Sequence, residues 1–547
     1  MGSAAKKVVP ELIEAFKSKD WLIRAAAANA LANTGEAALP ALPLFRKRLK
    51  INRFGEPTEY FPEVRTAICK AIGNIGPKAK RAVPELISSL QDFNEIVVKE
   101  SAKALLKMKN IPYKAINPLI EVLKYNSNAQ DAAAKALSIT GRRTISKMIS
   151  MIRYSENATA RLGAALTLKH MGSKARPAIN ALVSALRMDP VPIIRKEAAI
   201  ALGKIGPISS SSIKGLIDAC NDESSEVRDA VAKALADMGK SILYRILSGL
   251  RSSREPRARI TLLRAIGNLK SDARSALPTL VRYLRYWRGE PQKEIIKTIN
   301  KIGKPDNSVI PIMIDILKTS NDKEMHQLVR KFLIKFGQKY IKDFIELLKS
   351  PKELTSESAR FLLEKFSRES RPYLLSILKK KEDYYMITQV IKIFAQNPGN
   401  LNELIKLLDI SAPLVQKNLR DALLKMRIAA IPKLIKIIAE SKDNIAIENA
   451  GNILGHIGVA SIPQLLSALK TAKRGISKKT YIKTLGSMGS KARIAIKTLI
   501  EFLIKWKGDE RKEVAKTLGK IGVAAVPSLV ALLHHKDKAL QKSAIFA

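Results

Sequence analysis

Hydrophobic and polar positions repeat with a helical period from one end of the chain to the other. Each unit opens with a short apolar segment that carries proline in its first turn, such as Val83-Pro84-Glu85-Leu86-Ile87-Ser88-Ser89-Leu90. After a polar turn, a longer Ala-rich segment ends in phrases such as Ala201-Leu202-Gly203-Lys204-Ile205-Gly206. Proline is tolerated in a first helical turn, and glycine permits the left-handed residue that ends many helices. The pattern predicts a chain of helix pairs.

The closing residues recur at about 31 to 34 residues, which is the period of helix-pair solenoids. Glycine closes ten of the units: Gly76, Gly141, Gly172, Gly206, Gly239, Gly303, Gly337, Gly458, Gly489 and Gly522. Less regular closing residues fill the gaps: Lys109, Lys270, Ser367, Asn397 and Arg427. We count roughly seventeen pairs. Because stacked repeats need contacts only with their neighbours, we expect one continuous all-α solenoid over residues 1–547.

The starts of several second helices carry a recurrent Val-Arg or Ile-Arg pair. Val64-Arg65, Ile194-Arg195 and Val227-Arg228 are each followed by an Ala-rich stretch and by Leu-Gly-x-Ile-Gly or a similar ending. In these features the units resemble HEAT repeats, most closely the HEAT-like class of phycobilisome lyases. The resemblance implies a right-handed superhelix whose second helices line the concave surface, and it weakens over residues 340–430. It says little about function, because such repeats serve scaffolds, transport receptors, lyase subunits and nucleic-acid proteins.

Charge is the unusual part of the composition. The chain has 96 Lys and Arg against 49 Asp and Glu, a net charge of +47. A field of this sign attracts anions and bears on partners, not on the fold.

The positive charge follows one predicted face of the second helices. Counted back from the closing residue, apolar positions lie one, four, five, eight and twelve residues upstream, so positions two, six and ten form the opposite face. Three complete basic rows occupy it: Lys99, Lys103 and Lys107; Lys293, Lys297 and Lys301; and Lys512, Lys516 and Lys520. Other members are Lys331 with Lys335, Lys196 with Lys204, Lys479 with Lys483, and the single residues Lys70, Lys135, Lys233 and Arg264.

These rows predict a cationic groove that binds a long anion. Like charges four residues apart repel by roughly 0.2 to 0.5 kcal/mol per pair, so folding gives no reason for them. The alternative is a solvated polar face, since lysine is a common helix-forming residue there. Carboxylates interrupt the row at Asp131, Asp229, Asp237 and Glu448, which predicts a patchy groove in the fourth to seventh repeats and near the fourteenth.

A second basic concentration is rich in arginine. The candidate contact residues are Arg251, Arg254, Arg257 and Arg288, and arginine offers a planar fork for phosphate. Tyr283, Tyr286 and Trp287 lie beside them and are candidates for stacking on unpaired bases. Tyr283 and Trp287 are four residues apart on an apolar stripe, so they equally fit packing between helices. Arg259 matches the recurrent arginine of the repeat and is expected to be structural.

An insertion lengthens the second repeat. Residues 51–62 form an extra loop, which Arg46, Lys47, Arg48 and Lys50 precede. Insertions in solenoids often project from one edge and bind, but a merely variable loop fits equally. Met1-Gly2-Ser3 is typical of a cloning remnant, so we expect that the native chain is longer.

The chain lacks the motifs of the common enzyme classes. We find no phosphate-cradling glycine loop, no nucleophile elbow, no paired-cysteine motif and no histidine with a carboxylate at metal-ligand spacing. We therefore expect no catalysis, no metal and no cofactor. Two distant cysteines, Cys69 and Cys220, fit a reducing, cytoplasmic setting. No apolar stretch of about 18 residues predicts a membrane span.

We interpret the chain as a non-enzymatic scaffold that binds nucleic acid, DNA or RNA, through its phosphates and without sequence preference. The main alternative is an assembly scaffold that engages an acidic protein or an anionic membrane surface, because the positive charge is spread over the whole chain. A third possibility, an accessory subunit of a chromophore lyase, rests on the family resemblance alone.

Overall fold

The computed structural model describes residues 2–52, 55–303 and 307–547, with side chains from residue 7 onward. Met1 of the expected cloning remnant and Arg53 and Phe54 of the inserted loop lie outside the described residues. By its contacts the chain divides into two compact units, Met1–Asp306 (unit 1) and Asn307–Ala547 (unit 2). The elements described in both are helical, apart from an isolated bridge between Ile51 and Pro57.

Unit 1 contains nine consecutive helix pairs within its described residues. Their helices are α1 (Gly2–Ala15), α2 (Trp21–Asn33), α3 (Leu42–Leu49), α4 (Pro62–Ile75), α5 (Val83–Ser88), α6 (Glu95–Lys107), α7 (Tyr113–Tyr125), α8 (Gln130–Ser138), α9 (Arg142–Tyr154), α10 (Ala158–Met171), α11 (Ile179–Met188), α12 (Pro192–Ile205), α13 (Ser210–Asp218), α14 (Ser225–Asp237), α15 (Leu243–Ser252), α16 (Pro256–Asn268), α17 (Leu277–Tyr286) and α18 (Glu290–Ile302). Short 3₁₀ segments such as Gly76–Ala82 join one pair to the next.

Unit 2 continues the same order. Its helices are α19 (Val309–Thr319), α20 (Lys323–Phe336), α21 (Ile341–Leu348), α22 (Glu353–Lys365), α23 (Ser367–Lys380), α24 (Tyr384–Phe394), α25 (Leu401–Ile405), α26 (Pro413–Glu440), α27 (Asn444–Ile457), α28 (Ile462–Thr471), α29 (Gly475–Ser487), α30 (Ile496–Lys505), α31 (Gly508–Ile521), α32 (Val526–Leu532) and α33 (Lys538–Phe546). Non-helical backbone at Arg427 divides α26 into the second helix of one pair and the first helix of the next.

The two units thus hold seventeen pairs in the described chain, and the predicted all-α solenoid architecture is confirmed. Within each unit, second helices pack side by side in one layer, as α2, α4 and α6 do, and first helices form the other layer, as α9, α11 and α13 do. Whether the two units form one continuous body stays a prediction.

The buried face of the second helices follows the predicted positions. In α12, Ile194, Ala198, Ala201, Leu202 and Ile205 are all at most 2% exposed. Small residues set the spacing of the layer, because a Cβ atom added to Gly203 would lie 2.8 Å from the Cα atom of Ala234 in α14. Neighbouring second helices therefore approach almost backbone to backbone there.

The recurrent arginine joins several repeats of unit 1 to the next repeat. Arg195 donates from Nε and Nη2 to the two carboxylate oxygens of Asp222, at 2.7 and 2.8 Å, and from Nη1 to the main-chain oxygen of Asp189 at 2.9 Å. Arg65 with Asp92, and Arg161 with Asp189, repeat this arrangement. Their hydrogen bonds to these aspartates raise the pKa of Arg161 and of Arg195. The repeat pattern of the sequence identifies the arginine, but its aspartate partner lies in the next repeat and is not marked by that pattern.

The inserted loop ends in a related salt bridge between repeats. Glu59 is 1% exposed and accepts hydrogen bonds from Arg24 Nε and Nη2 at 2.9 and 2.7 Å, with Arg48 at 3.5 Å. Arg46, another cation near the loop, pairs with the largely buried Glu85. These contacts join the first three pairs, so this part of the insertion is structural.

Most closing residues adopt the left-handed backbone that the repeat predicts. Gly76, Gly206 and Gly458 have φ of 72°, 92° and 76°. Gly337 is an exception with φ of −94°, and glycine is needed there because a Cβ atom would lie 2.6 Å from the Leu333 carbonyl oxygen. Lys270 keeps a positive φ of 53° without being glycine.

Replacing Lys270 by glycine is expected to stabilise unit 1. A non-glycine residue in the left-handed region costs about 1 to 2 kcal/mol, part of which the greater freedom of glycine in the unfolded chain offsets. We expect a gain of about 1 kcal/mol in the free energy of unfolding, measured as a higher urea midpoint. Lys233→Gly, at an exposed position inside α14, is the control and should lower that midpoint. A lower midpoint for Lys270→Gly would contradict the prediction.

His326 occupies the position of the recurrent arginine in α20. Its side chain is fully buried; Nε2 donates to the Ser320 carbonyl oxygen at 3.0 Å, so Nδ1 accepts from Ser358 Oγ at 2.8 Å. Burial lowers the pKa of His326. The imidazole is therefore held neutral, and in the unfolded chain it binds a proton more readily.

Unit 2 should accordingly lose stability as the pH falls below about 6.5, the pKa of a free histidine, towards the lower pKa of the folded state. Gln130 and Gln292 occupy the same position in α8 and α18, so His326→Gln is a matched replacement without a titrating group. Denaturant midpoints at pH 7.5 and 5.5 should fall more for the parent chain than for the variant. Equal decreases in the midpoint would show that His326 contributes nothing to the pH dependence of stability.

Candidate polyanion-binding surface

The first basic row lies on α6 and faces solvent. Lys99, Lys103 and Lys107 are all exposed, as predicted from their spacing. Lys103 pairs with Glu100 at 2.6 Å, so its charge is partly balanced. Lys107 Nζ donates to Asn74 Oδ1 in α4 at 2.6 Å, which brings corresponding positions of two neighbouring second helices together.

Carboxylates neutralise much of the row in the middle of unit 1. Their pairs join Lys135 to Asp131 at 2.7 Å, Lys196 to Glu226 at 2.8 Å and Arg264 to Asp229 at 2.7 Å. Partial burial opposes ionisation of Asp131, but hydrogen bonds from Lys135 and His170 outweigh it and lower the pKa of Asp131. Lys204 and Lys233 remain exposed, and within the described residues they have no ion pair. The predicted patchiness is thus present, and the pairing goes further than expected.

The ninth repeat corrects the sequence analysis at one position. Lys301 is exposed and lies 3.5 Å from Asn268 Oδ1, and Lys297 is half-buried. Lys293, however, is only 6% exposed and pairs with Glu290 at 2.9 Å. The position ten residues before the closing residue falls in the first turn of α18, where Lys293 packs with its own charged neighbour. The Lys293 side chain is therefore packed within the fold, and it does not belong to a solvent-exposed row of lysines.

A group of five basic residues lies in unit 2, on α29 and α31. We call Lys479, Lys483, Lys512, Lys516 and Lys520 the α29–α31 lysine cluster. All five are exposed, and in the described chain only Lys512 has an ion pair, a 3.5 Å contact with the fully open Asp509. The two helices are close, because a Cβ atom on Gly486 would lie 3.4 Å from Lys520 Cδ. Lys331 and Lys335 occupy equivalent positions on α20 and are also exposed.

A polar cleft lies between α27 and α29, beside this cluster. Its volume is about 320 Å³. Hydroxyl, amide and ammonium groups line most of it, together with one carboxylate: Asn444, Asn452, Lys479, Thr480, Lys483, Thr484, Ser487 and Glu448. Ammonium, hydroxyl and amide donors are the groups that hold phosphate oxygens in proteins.

The candidate arginines occupy a different surface. Arg251, Arg254, Arg257 and Arg288 are all exposed and lie at the turns between the two helices of the eighth and ninth pairs. The lysine rows instead run along the second helices. The predicted contact residues therefore lie on two surfaces. The lysines lie on the exposed face of the second-helix layer, and the arginines lie on the edge that the turns form.

The aromatic residues next to these arginines are mainly structural. Trp287 stacks on Tyr283 with ring centroids 4.5 Å apart, and the Arg259 guanidinium lies 4.5 Å from the Trp287 ring. Lys478 over Trp506 in the sixteenth pair is a similar contact, at 5.2 Å. The packing interpretation of Tyr283, Trp287 and Arg259 is thus supported. Tyr286 is different, being 74% exposed.

Cys69 and Cys220 are free and buried, and burial raises the pKa of the Cys69 thiol to about 12. Among the described residues no three His, Cys, Asp or Glu side chains are grouped to hold a metal ion.

One stretch of the described chain, Asn444–Thr471, reaches the length and hydropathy of a membrane span. It comprises α27 and α28, which a 3₁₀ turn at Gly458 joins, so it is weak evidence for a span. The bent pair α31 and α32 passes the same test only if it counts as a single span.

Comparison with known proteins identifies the repeat type. A family model described as HEAT repeats matches residues 58–138 and 145–236, so these residues form HEAT repeats. No curated protein matches the chain.

Solved structures with a similar architecture include importin beta, at 10% identity and a TM-score of 0.38, covering 100% of this chain and 90% of that one. Kap121p bound to the extreme C-terminus of the phosphatase Cdc14p has 12% identity and a TM-score of 0.39, with 99% and 74% covered. Kap95p, whose binding induces the switch loops of RanGDP to adopt the GTP-bound conformation, has 12% identity and a TM-score of 0.41, with 99% and 83% covered. This likeness concerns the fold alone.

The different settings of Lys293 and Lys301 give a direct test of the ninth repeat. Lys293→Glu places a second carboxylate beside Glu290 in a buried position and should destabilise unit 1 by about 3 to 5 kcal/mol. Lys301→Glu changes an exposed charge and should alter stability by less than about 0.5 kcal/mol. Thermal unfolding followed by circular dichroism measures both. Equal melting temperatures for the two variants would show that the buried position of Lys293 contributes nothing to stability.

Proposed function

We propose that the protein is a non-enzymatic HEAT-repeat scaffold that binds a polyanion, the phosphate backbone of nucleic acid, through the lysine rows of its second helices. The observation that carries the proposal is the α29–α31 lysine cluster. It holds five exposed ammonium groups on two adjacent helices, and four of them have no ion pair among the described residues. A cytoplasmic location is part of the proposal, since free buried cysteines are typical of reducing compartments.

The cluster is unfavourable to the folded protein by itself. Its lysines follow one another at four-residue spacing within α29 and within α31, where like charges repel by roughly 0.2 to 0.5 kcal/mol per pair. A glutamate at any of these positions would have turned repulsion into attraction. Binding of an anion removes the repulsion and releases counterions from the nucleic acid, so the arrangement favours the bound state.

Lysine determines the kind of recognition expected. Its ammonium group is a flexible point charge that contacts phosphate oxygens without reading base edges. The hydroxyl and amide groups of the cleft between α27 and α29 add neutral donors for the same oxygens. We therefore expect binding without sequence preference, to DNA or to RNA.

A second candidate is a scaffold for an acidic protein. In the middle of unit 1 the carboxylates Asp131, Glu226 and Asp229 pair with cations of the row, which leaves isolated cations such as Lys204 and Lys233. Isolated cations suit a partner with discrete carboxylates better than a continuous phosphate chain. A partner that stays bound after nuclease treatment would favour this candidate. An anionic membrane surface would bind through the same charges.

The subclass of the repeats is a separate question. That they are of the phycobilisome-lyase type stays a prediction from Val64-Arg65 and its equivalents.

Charge reversal of the cluster tests the main proposal. The variant Lys479→Glu, Lys483→Glu, Lys516→Glu and Lys520→Glu should bind a 30-base-pair duplex at least about 100-fold more weakly at 50 mM salt, with a flatter salt dependence. If six to ten phosphates are neutralised, binding by the parent chain should fall on the order of 10³- to 10⁵-fold between 50 and 200 mM salt. Fluorescence anisotropy with labelled duplex DNA, single-stranded DNA and RNA measures all of these quantities.

The same part of the chain supplies a matched control. Lys470, Lys491, Lys497 and Lys505 are exposed lysines of the fifteenth and sixteenth pairs that lie outside the second-helix layer. Their replacement by glutamate changes the net charge equally and should weaken binding much less. Equal losses for the two variants would reduce the effect to net charge, and weak, salt-independent binding of all three nucleic acids by the parent chain would rule the proposal out.

A further inference from the structure

Five consecutive turns of unit 1 each expose one large apolar side chain. These turns connect the two helices within a pair, in the second to the sixth pair. The side chains are Tyr60, Phe93, Tyr125, Tyr154 and Met188, which are 81%, 93%, 75%, 75% and 77% exposed. Packing gives no reason for them, because a side chain this open contributes little to the apolar area buried on folding. Scattered exposed apolar residues are ordinary, but one at or beside the turn of each of five successive repeats is not.

Contacts between turns place these side chains along one edge. Each turn is joined to the turn or helix end of the pair before it through a side chain: Arg65 with Asp92 at 2.7 Å, Asn128 with Glu95, Asn157 with the Lys124 main-chain oxygen at 3.2 Å, and Arg161 with Asp189 at 2.7 Å. Neighbouring packed helices lie ~8–10 Å apart, so the row extends over roughly 30 to 40 Å. The exposed apolar side chains are therefore arranged one per repeat, and all of them except Met188 carry an aromatic ring.

Cations accompany the apolar side chains at the same edge. Arg153 precedes Tyr154 and Arg187 precedes Met188, and both arginines are exposed without an ion pair in the described chain. The edge becomes arginine-rich in the eighth and ninth turns, which hold the exposed Arg251, Arg254, Arg257 and Arg288 together with Tyr286. The acidic groups Asp92 and Asp189 are already neutralised by Arg65 and Arg161. The edge thus combines the exposed rings of four turns with the free guanidinium groups of Arg153 and Arg187.

We propose that this edge of unit 1 binds single-stranded nucleic acid, with unpaired bases stacking on the exposed rings and phosphates held by the neighbouring arginines. The inference rests on the proposed function and adds a preference for single strands over duplexes. Stacking on aromatic side chains requires a free base face, which a duplex conceals within its own stack. A bilayer suits the edge less well, because polar turn residues such as Ser155, Glu156 and Asn157 separate the rings, whereas an interfacial segment needs a continuous apolar face.

The test uses the full chain and three fluorescein-labelled probes: a 30-nucleotide single strand, the matching duplex, and an abasic strand with the same number of phosphates. The parent chain should bind the single strand more tightly than either of the others. In the double variant Tyr125→Ala and Tyr154→Ala, binding of the single strand should weaken at least about tenfold, since each stacked base is worth ~5- to 150-fold in affinity. Binding of the duplex and of the abasic strand should change less than about twofold.

Two controls isolate the stacking. Tyr113 and Tyr244 are 63% and 77% exposed but lie at the starts of α7 and α15, at the opposite ends of the first helices, so their replacement by alanine should leave all three affinities unchanged. Tyr125→Phe with Tyr154→Phe keeps the rings and should keep the preference. Circular dichroism shows whether each variant retains its helices.

The outcomes separate this inference from the proposed function. Equal affinities of the parent chain for the single and abasic strands, with binding still lost on reversal of the α29–α31 lysine cluster, would overturn the inference and leave the function standing. Failure to bind any of the probes at 50 mM salt would overturn both. Binding of phosphatidylserine vesicles that the Tyr125 and Tyr154 substitutions abolish, with no effect on the single strand, would assign the edge to membranes and overturn the inference.

Discussion

The structure depends on a charge-assisted contact that joins successive repeats. An arginine in the first turn of a second helix reaches across to an aspartate at the end of the next first helix, as Arg195 does with Asp222, and also binds carbonyl oxygens of its own turn. Its planar guanidinium fits both oxygens of the carboxylate, so it fixes direction as well as distance. Apolar packing alone would allow neighbouring helices to slide. This bidentate contact sets the register of one turn against the next.

This constant register explains why equivalent surface residues of successive repeats line up beside each other. When each turn is held at a constant position relative to its neighbour, residues at equivalent places in successive repeats lie next to each other. The lysine rows then form a face of the second-helix layer, and the exposed rings of Tyr125 and Tyr154 form an edge. The same position tolerates other partners, since Arg259 and Lys478 lie over Trp287 and Trp506, and His326 is buried in hydrogen bonds. These exchanges preserve the contact between repeats while changing its chemistry.

The period of the sequence was sufficient to predict the helix pairs and their buried faces. Ile194, Ala198 and Leu202 are buried as their spacing predicts, and Lys270 adopts the positive φ of a closing residue although it is not glycine. The period was not sufficient to predict pairing, because Lys196 with Glu226 and Arg264 with Asp229 join residues of different helices. Lys293 was misplaced for a related reason: spacing on one helix does not show which neighbours cover its first turn. The edge of exposed rings was missed because it lies in turns, outside any helical period.

The distribution of carboxylates bears on whether the excess of lysine is only compositional. Several buried acidic groups serve the contacts between repeats, as Asp92, Asp189 and Glu59 do with their arginines. Arginine is thus mostly balanced where the fold needs it, whereas four of the five lysines of the α29–α31 lysine cluster have no ion pair within the described residues. A chain enriched in lysine by composition alone would show exposed acidic residues interspersed in these rows, because pairs four residues apart are favourable. Acidic residues do occur on α31, as Asp509, Glu510 and Glu513, but none occupies a row position of α29 or α31. In the middle of unit 1 they do interrupt the row, and this difference points to a local requirement for uncompensated positive charge on α29 and α31.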